Sequence, residues 1–349
     1  MAYTTINKST AHFNTKTYSG TTNSSDAISG IGFQPDLVWL KSRSNAGWHW
    51  LTDAVRGVTK TVYSNATTAE ETNADGVTAF GADGFTIANN SDINGSGKTF
   101  CSWNWKAGGG QGSANTDGSI NTTYTSVNTT AGFSICKWTG TGSAGTIGHG
   151  LGATPGMIMF KNLSSTNSWV VWNKTFNART RLVLNGTNAV STSQTGFMND
   201  TLPTSSVIHL KDDSDTNGSG NQMIAYVFAE KTGYSKFGSY KGNGSNNGSF
   251  CYLGFKPAFV LVKNTQQGGD NWFMWDNKRS EYNQTQKYLS PNSNNTEADS
   301  SSYAIDILSN GFKVRSSTGA INNNNETMIY MAFAESPLVG SNNVPNTAR

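Results

Sequence analysis

Charged side chains are scarce in this sequence. Of its 349 residues only 13% are charged, and 25 Lys and Arg against 22 Asp and Glu leave a formal net charge of +3. It contains no cluster of Lys and Arg, which nucleic-acid binding requires. No segment reaches the roughly 20 apolar residues that span a bilayer, and the N-terminal segment lacks the apolar stretch of a signal peptide. We therefore expect no nucleic-acid partner, no membrane insertion and no secretion signal.

Cysteine and histidine are also scarce. Cys101, Cys136 and Cys251 are far apart, and each lies within an apolar or aromatic run. We therefore expect buried free thiols rather than disulfides or metal ligands. The four histidines are isolated from one another, which argues against a shared metal site or a catalytic triad. The sequence predicts no catalytic residue, no cofactor and no enzymatic activity.

The polarity of the chain comes from Asn, Ser, Thr and Gly instead. Glycine alone accounts for 38 residues, and 10 Trp, 12 Tyr and 17 Phe provide the bulky apolar side chains. The small polar residues favour turns, whereas aromatic and β-branched residues favour half-buried strands. This composition is typical of an all-β protein with little helix.

A sequence motif recurs three times along the chain. Gly-x-x-Pro is followed by an apolar run and a lysine, with the same spacing at 35–41, 155–161 and 257–263. Each copy continues with a Trp-rich run and closes with an apolar, aromatic strand. Internal repeats of this kind indicate an array of structural units. We predict three tandem repeats of a β-sandwich or jelly-roll-like unit of about 100 residues each.

The repeated motifs also define the domain boundaries. Copies two and three are joined almost directly, whereas a Gly/Ser/Asn-rich segment follows copy one. We therefore expect copy one to be set apart and to be the docking end of the molecule. The predicted segments are an N-terminal arm (1–15), repeat 1 (16–109), a linker (110–131), repeat 2 (132–236), repeat 3 (237–337) and a polar C-terminal tail (338–349).

Tryptophans are the candidate binding residues. The strands after the prolines are apolar at every position, which predicts that both faces are covered. On a strand, Trp169 and Trp172 point to opposite faces, so only one of them can belong to a given core. The other is either buried against a neighbouring unit or exposed as a stacking surface for sugar rings. The candidates for such a surface are Trp48, Trp50, Trp169, Trp172, Trp272 and Trp275.

Two short motifs resemble ion-binding loops. Asp213, Asp215 and Asn217 match the first half of a calcium loop, but the bidentate glutamate that should complete it is replaced by Ile224. A weak calcium site is one interpretation, and a plain Asn-Gly hairpin turn is the other. The segment 94–99 ends like a phosphate-binding loop, but it lacks the first glycine and a following helix. We interpret it as a variant hairpin loop.

The sequence resembles virion structural proteins of marine tailed bacteriophages, of the tail fibre or tail-associated kind. The resemblance covers nearly the whole chain and includes GIGFQPDLVWLKSR, WNWKAGGG, GYSKFGSYKGNGS and IYMAFAE. It implies a virion protein made in the host cytoplasm, with other virion proteins as partners. It carries no catalytic residues over to this chain.

The chain departs from a long fibre because it has no coiled-coil or β-helical shaft. We therefore expect a compact, non-enzymatic appendage that contacts a carbohydrate on the host surface, either as a homotrimer or as a monomer. One alternative is a capsid decoration protein with a purely architectural role. Another is a polysaccharide depolymerase, whose paired carboxylates would come from Asp53, Glu70, Glu71, Asp276 and Glu281.

Overall fold

The computed structural model describes residues 3–340 and 345–347. The first two residues of the predicted arm (1–2) and half of the predicted tail (341–344 and 348–349) lie outside the described residues. Within the described residues, antiparallel sheets dominate, and α-helix is limited to three single turns. The prediction of an all-β, sandwich-type fold with little helix is confirmed.

The first repeat begins with a short 3-10 helix, Ser9–Ala11. Its strands are β1 (Phe13–Ser19), β2 (Asp26–Ser29), β3 (Leu37–Ser42), β4 (Trp50–Asp53), β5 (Lys60–Tyr63), β6 (Glu71–Thr72), β7 (Val77–Gly81), β8 (Gly84–Ile87) and β9 (Thr99–Trp105), with helix α1 (Ser91–Asn94) before β9. They form a large sheet of order β1-β9-β3-β4-β5-β6 and a small sheet of order β2-β8-β7.

The second repeat adds one strand in front of its opening strand. Its strands are β10 (Tyr124–Asn128), β11 (Phe133–Thr139), β12 (Gly145–Gly148), β13 (Met157–Asn162), β14 (Val170–Asn173), β15 (Leu182–Val183), β16 (Val207–Leu210) and β17 (Gln222–Phe228), with helix α2 (Ser214–Asn217) before β17. The large sheet has the order β10-β11-β17-β13-β14-β15, and β12 pairs with β16.

The third repeat contains a 3-10 helix, Ser301–Tyr303, besides its strands. These are β18 (Ser235–Lys241), β19 (Phe250–Tyr252), β20 (Phe255–Asn264), β21 (Phe273–Asp276), β22 (Lys287–Tyr288), β23 (Ala298–Asp299), β24 (Ile305–Leu308), β25 (Gly311–Val314) and β26 (Thr327–Pro337), with helix α3 (Gly319–Asn322) before β26. The sheets have the orders β18-β26-β20-β21, β19-β25-β24 and β22-β23.

One pairing order occurs in all three large sheets. The opening strand pairs with the closing strand, the closing strand pairs with the strand after the proline, and that strand pairs with the Trp-rich strand. The three series are β1-β9-β3-β4, β11-β17-β13-β14 and β18-β26-β20-β21. A small sheet covers one face of each series, which gives each repeat a sandwich-like core of its own.

The other face of every large sheet packs into a core common to the three repeats. Along β17, alternate residues serve the two cores: Ile224, Tyr226 and Phe228 face the common core, and Met223, Ala225 and Val227 face the core of the second repeat. This alternation follows from the two-residue period of a strand. It explains the continuously apolar runs, because both faces are buried as predicted.

Aromatic rings join the repeats at one end of the common core. The ring of Phe13 stacks on that of Phe333, with centroids 5.1 Å apart, and Trp105 contacts Phe228 and Phe259 edge-on at 6.4 and 6.0 Å. These five residues come from all three repeats. Each aromatic pair contributes about 0.5–1.5 kcal/mol to stability, in addition to the free energy gained by burying its apolar area.

Backbone hydrogen bonds close the three repeats into a ring. Each repeat donates one N–H from the loop before its Trp-rich strand to a neighbouring repeat: Asn167 to Thr67 (2.9 Å), Gly269 to Thr187 (3.0 Å) and Gly47 to Asn294 (2.9 Å). Each repeat also donates an N–H from a later segment in the opposite sense: Glu70 to Leu163, Val190 to Thr265 and Glu297 to Arg43. Every repeat therefore contacts both of the others.

The body has two distinct poles. At the first, here called the terminal pole, the described part of the arm packs where the second repeat joins the third: Tyr3 bonds to the carbonyl of Gly254, and Thr4 to that of Thr232. Leu338, just after β26, also bonds to Gly254. At the opposite ends of the closing strands, here called the helix pole, the helices α1, α2 and α3 precede β9, β17 and β26 and lie among Asn-, Ser- and Gly-rich loops.

Three details differ from the sequence-based expectations. The first repeat is not set apart, because it exchanges hydrogen bonds with both neighbours in the ring. The predicted arm overlaps the start of β1, whereas the linker contributes one strand, β10, to the second repeat as its sequence allowed. Pro257 lies inside β20 rather than before it, at a β-bulge where the pairing with β26 shifts register.

Candidate functional site

Five of the six candidate tryptophans are buried. Trp169 and Trp272 lie in the common core, and the other three lie in the cores of individual repeats: Trp50, Trp172 and Trp275. None of the five is more than 3% exposed. They have no ring face available to a sugar, which corrects the prediction for them. The two faces of each strand are covered by different cores, as the interface interpretation required.

Trp48 is the exception, with 41% of its surface exposed. It lies at the helix pole beside Tyr63, with ring centroids 5.0 Å apart. His49 occupies the same strand position as Trp169 and Trp272. In all three repeats, the residue that follows this position pairs with the equivalent residue of the strand after the proline. Trp48 therefore lies before strand β4, and its side chain does not follow the alternation of that strand between the two faces of the sheet. It stays a candidate stacking residue.

An arginine occupies the candidate calcium loop. The guanidinium of Arg181 lies 2.5 Å from the carboxylate of Asp213 and 3.3 Å from that of Asp215. The Asp213 side chain also accepts the backbone N–H of Asp215, and thereby caps helix α2. The geometry therefore contradicts a calcium site, since a cation already neutralises both carboxylates. Among the described residues, no group of three or more His, Cys, Asp or Glu side chains is placed to hold a metal.

Asn217 has a structural role that recurs in all three repeats. Its buried side-chain amide donates to the carbonyls of Lys211 (2.6 Å) and Ser143 (2.9 Å). Asn94 and Asn322 end the equivalent helices and make corresponding bonds to flanking loops. The sequence suggested plain hairpin turns here, whereas the structure has single helical turns held by a buried asparagine. The equal spacing of these asparagines before the closing strands was the available signal.

The lysine of each repeated motif is also buried. Lys41, Lys161 and Lys263 are fully inaccessible, and each ammonium donates to backbone carbonyls, for example from Lys161 to Thr67 (2.9 Å) and Asn167 (2.7 Å). Burial lowers the pKa of each lysine to about 8. The lysines hold the loops before the Trp-rich strands. Their recurrence was visible in the sequence, but their burial was not.

Two of the acidic residues that are candidates for catalysis form buried ion pairs with arginines. Asp53 pairs with Arg56 and accepts the hydroxyl of Tyr226 from the second repeat at 2.8 Å. Asp276 pairs with Arg279 at 2.5 Å in the same way. Both carboxylates are fully buried, so neither is placed to meet a polysaccharide.

The cysteines are buried and unpaired, as predicted. Burial raises the pKa of Cys101 to about 12 and that of Cys136 to about 11. Because the thiolate is the reactive form, these thiols are poor nucleophiles.

A polar cleft at the helix pole of the third repeat is the candidate site. Its volume is about 730 Å³. It lies between the loop after β18, the 3-10 helix Ser301–Tyr303 and the segment before α3. The lining residues are Asn246, Asn247, Gln284, Ser301, Ser302, Arg315, Ser316, Ser317 and Thr318. Eight of these nine are uncharged amides or hydroxyls, and the single cation, Arg315, pairs with Asp306 at 3.0 Å.

The walls of this cleft are held by an internal hydrogen-bond network. The amide of Asn322 donates to Ser316 (2.7 Å), Ser245 (2.8 Å) and Asn243 (2.9 Å), which ties two walls to helix α3. The hydroxyl of Ser316 donates to the carbonyl of Ser302 and attaches the third wall. The cleft is therefore formed by the fold itself.

A second depression adjoins the cleft and shares Gln284 with it. Its volume is about 370 Å³, and its lining includes Tyr282, Asn283 and Gln286, together with the charged residues Lys287 and Asp299. Tyr282 is 78% exposed, the most of any large apolar or aromatic side chain in the described part of the chain. An exposed ring thus stands beside a set of neutral hydrogen-bonding groups.

The fold and the site define an all-β, sandwich-type protein with a polar surface cleft and no cluster of metal-binding side chains in the described residues. The chain belongs to the family described as Domain of unknown function (DUF7483), which matches residues 8–337. No curated protein matches the chain. No helix in the described part of the chain is long and apolar enough to cross a membrane.

Proposed function

We propose that the chain is a non-enzymatic virion structural protein, a compact appendage that attaches through its terminal pole and contacts the host surface with its helix pole. The observation that carries this proposal is the different chemistry of the two poles. The residues that lead into and out of the body lie together at the terminal pole. Loops rich in Asn, Ser and Gly surround the opposite pole.

The closed ring supports a role in display. A core shared by three repeats, with hydrogen bonds between all of them, holds the loops of the helix pole in fixed relative positions. Pre-organised surfaces lose less entropy on binding than mobile ones. Neutral amides and hydroxyls suit a carbohydrate receptor, since they pair with sugar hydroxyls without the cost of desolvating a charge.

The experiment that tests this proposal is to locate the protein on the particle. Particles labelled with an antibody or tag on the chain should carry the label at the tail or at a surface appendage, and purified protein should bind host cells. Label spread evenly over the capsid lattice, together with no binding to host cells, would overturn host contact.

A capsid decoration protein is the second candidate, and the ring favours it specifically. A ring of three similar repeats would suit a threefold lattice position, and one chain would fill that position without forming a homotrimer. Under this alternative the label covers the lattice, and removal of the protein lowers the thermal stability of the particle.

A further inference from the structure

We propose that the polar cleft of the third repeat is a binding site for a neutral oligosaccharide, with the ring of Tyr282 as its stacking platform. This inference rests on the proposed function and deepens it, because it names the ligand class and places the contact in one repeat. The tryptophan-based stacking surface predicted from the sequence is not part of it.

The first argument is that some cleft residues hold the walls together and others do not. The side chains of Ser316, Asn322 and Asn243 form the hydrogen bonds that join the walls. In contrast, Gln284 and Ser317 are exposed and donate or accept no side-chain hydrogen bond within the described residues. The fold therefore fixes the position of these groups without using them, as a pre-organised binding site requires.

The same is true of most of the remaining lining. The side chains of Asn246, Asn247, Ser301, Ser302 and Thr318 also make no hydrogen bond within the described part of the chain. Amides and hydroxyls both donate and accept, so such a lining complements the hydroxyls of a sugar. A cleft of about 730 Å³ is within the usual range for ligand sites.

The charge of the cleft selects a neutral ligand. Arg315 is its one cation, and the carboxylate of Asp306 neutralises it at 3.0 Å. An anionic saccharide would have to displace this pair, whereas a neutral one would not. The exposed ring of Tyr282 provides the apolar face on which sugar rings stack.

One wall position of the cleft differs in residue type from the equivalent positions of the other two repeats. The carbonyl that accepts from the buried asparagine belongs to Ser316 in this repeat, to Lys211 in the second and to Ala88 in the first. At the position of Ser316, Lys211 has a charged side chain and Ala88 has a side chain without a polar atom. The approximate threefold arrangement of the body therefore does not imply three equal sites.

The experiment is a binding assay with the full chain on an immobilised panel of neutral hexose and N-acetylhexosamine oligosaccharides, with sulfated and uronic-acid oligosaccharides as the anionic arm. The test variant combines Gln284→Ala with Ser317→Ala, and a second variant is Tyr282→Ala. The control combines Asn295→Ala with Ser219→Ala, two exposed residues outside the cleft. Thermal unfolding of every variant establishes that the fold is intact.

We expect the wild type and the control to bind a neutral oligosaccharide, and both cleft variants to bind it about tenfold or more weakly. Equal binding by wild type and cleft variants would overturn the site but leave host contact standing. Binding confined to the anionic arm, or binding to no oligosaccharide, would also overturn it. The position of the protein on the particle is measured separately, so failure of the site is distinguishable from failure of the proposed function.

Discussion

The indole N–H of Trp103, in the first repeat, donates a 3.0 Å hydrogen bond to the carboxylate of Asp276, in the third repeat. The guanidinium of Arg279, which pairs with the same carboxylate, lies 5.3 Å from the centre of the Trp103 ring. All three side chains are buried. A charged pair in a core is tolerated only when its hydrogen bonds are satisfied, so this contact between repeats is sensitive to the loss of any member.

We therefore predict that Asp276→Ala lowers the free energy of unfolding by about 3–5 kcal/mol, because it leaves the Arg279 charge buried without a partner. Urea denaturation followed by tryptophan fluorescence measures the change. The control is Arg179→Ala, which removes an exposed ion pair with Asp200 and should leave stability nearly unchanged. Equal effects of the two substitutions would contradict a buried, structurally essential pair.

The buried lysines predict that stability rises with pH between about 7 and 9. Their pKa in the folded state is about 8, below the ordinary 10.5. Above pH 8 the unfolded chain therefore binds more protons than the folded chain, and the folded state gains about 1 kcal/mol per lysine over this range. Above pH 9 the raised pKa values of Cys101 and Cys136 act in the opposite direction, since the unfolded thiols ionise first.

Lys161→Met tests this origin of the pH dependence. The variant should show a flatter rise of the unfolding midpoint between pH 7 and 9 than the wild type, in the same buffers. Lys60→Met, at a lysine whose ammonium bonds to an exposed threonine, serves as the control and should keep the wild-type slope. An unchanged slope in Lys161→Met would show that the lysine is not the titrating group.

Accessible tryptophan fluorescence should come almost entirely from Trp48. It is exposed, whereas the other nine tryptophans are buried. Trp48→Phe should remove the fraction of emission that acrylamide quenches, with little loss of stability. Trp169→Ala should leave that fraction in place but cost about 3–5 kcal/mol, because it opens a cavity in the common core. Strong quenching that persists in Trp48→Phe would mean that a second tryptophan is accessible.

Calcium should not change the stability of the protein. Arg181 neutralises Asp213 and Asp215, so the thermal unfolding midpoint in excess calcium should equal that in excess chelator. Arg181→Ala provides the positive control, because it leaves two carboxylates without their cation. That variant should be less stable than the wild type in chelator and regain part of the difference in calcium. A calcium-dependent midpoint in the wild type would contradict the arginine-filled loop.

The strand framework was predictable because its signals are local. The Gly-x-x-Pro motifs, the apolar runs and the Trp-rich segments each lie within one strand or turn, and they indicated an all-β fold with strands buried on both faces. The position of Pro257 within β20 was not predicted, since a bulge allows a proline inside a paired strand. The hydrogen-bonding role of Asn322 was not readable either, because its partners lie up to 79 residues away.

The candidate site was predicted less well than the fold. Trp172 and Trp275 were candidates because each lies three residues after another tryptophan and points to the opposite face of its strand, but burial depends on sheets that pack from distant parts of the chain. The cleft is lined by residues from 246 to 318, and all but Arg315 are common amide or hydroxyl residues. Such residues have no distinctive pattern in sequence, and only the folded chain brings them together.

The circular exchange of backbone hydrogen bonds also bears on how the protein unfolds. In a linear array, an end unit can detach while the rest survives, since it has one neighbour only. Here each repeat has two neighbours and contributes to the same core, so the loss of one exposes aromatic surface on both others. The chain should therefore melt in a single cooperative transition, and neither a one-repeat nor a two-repeat fragment should be stable alone.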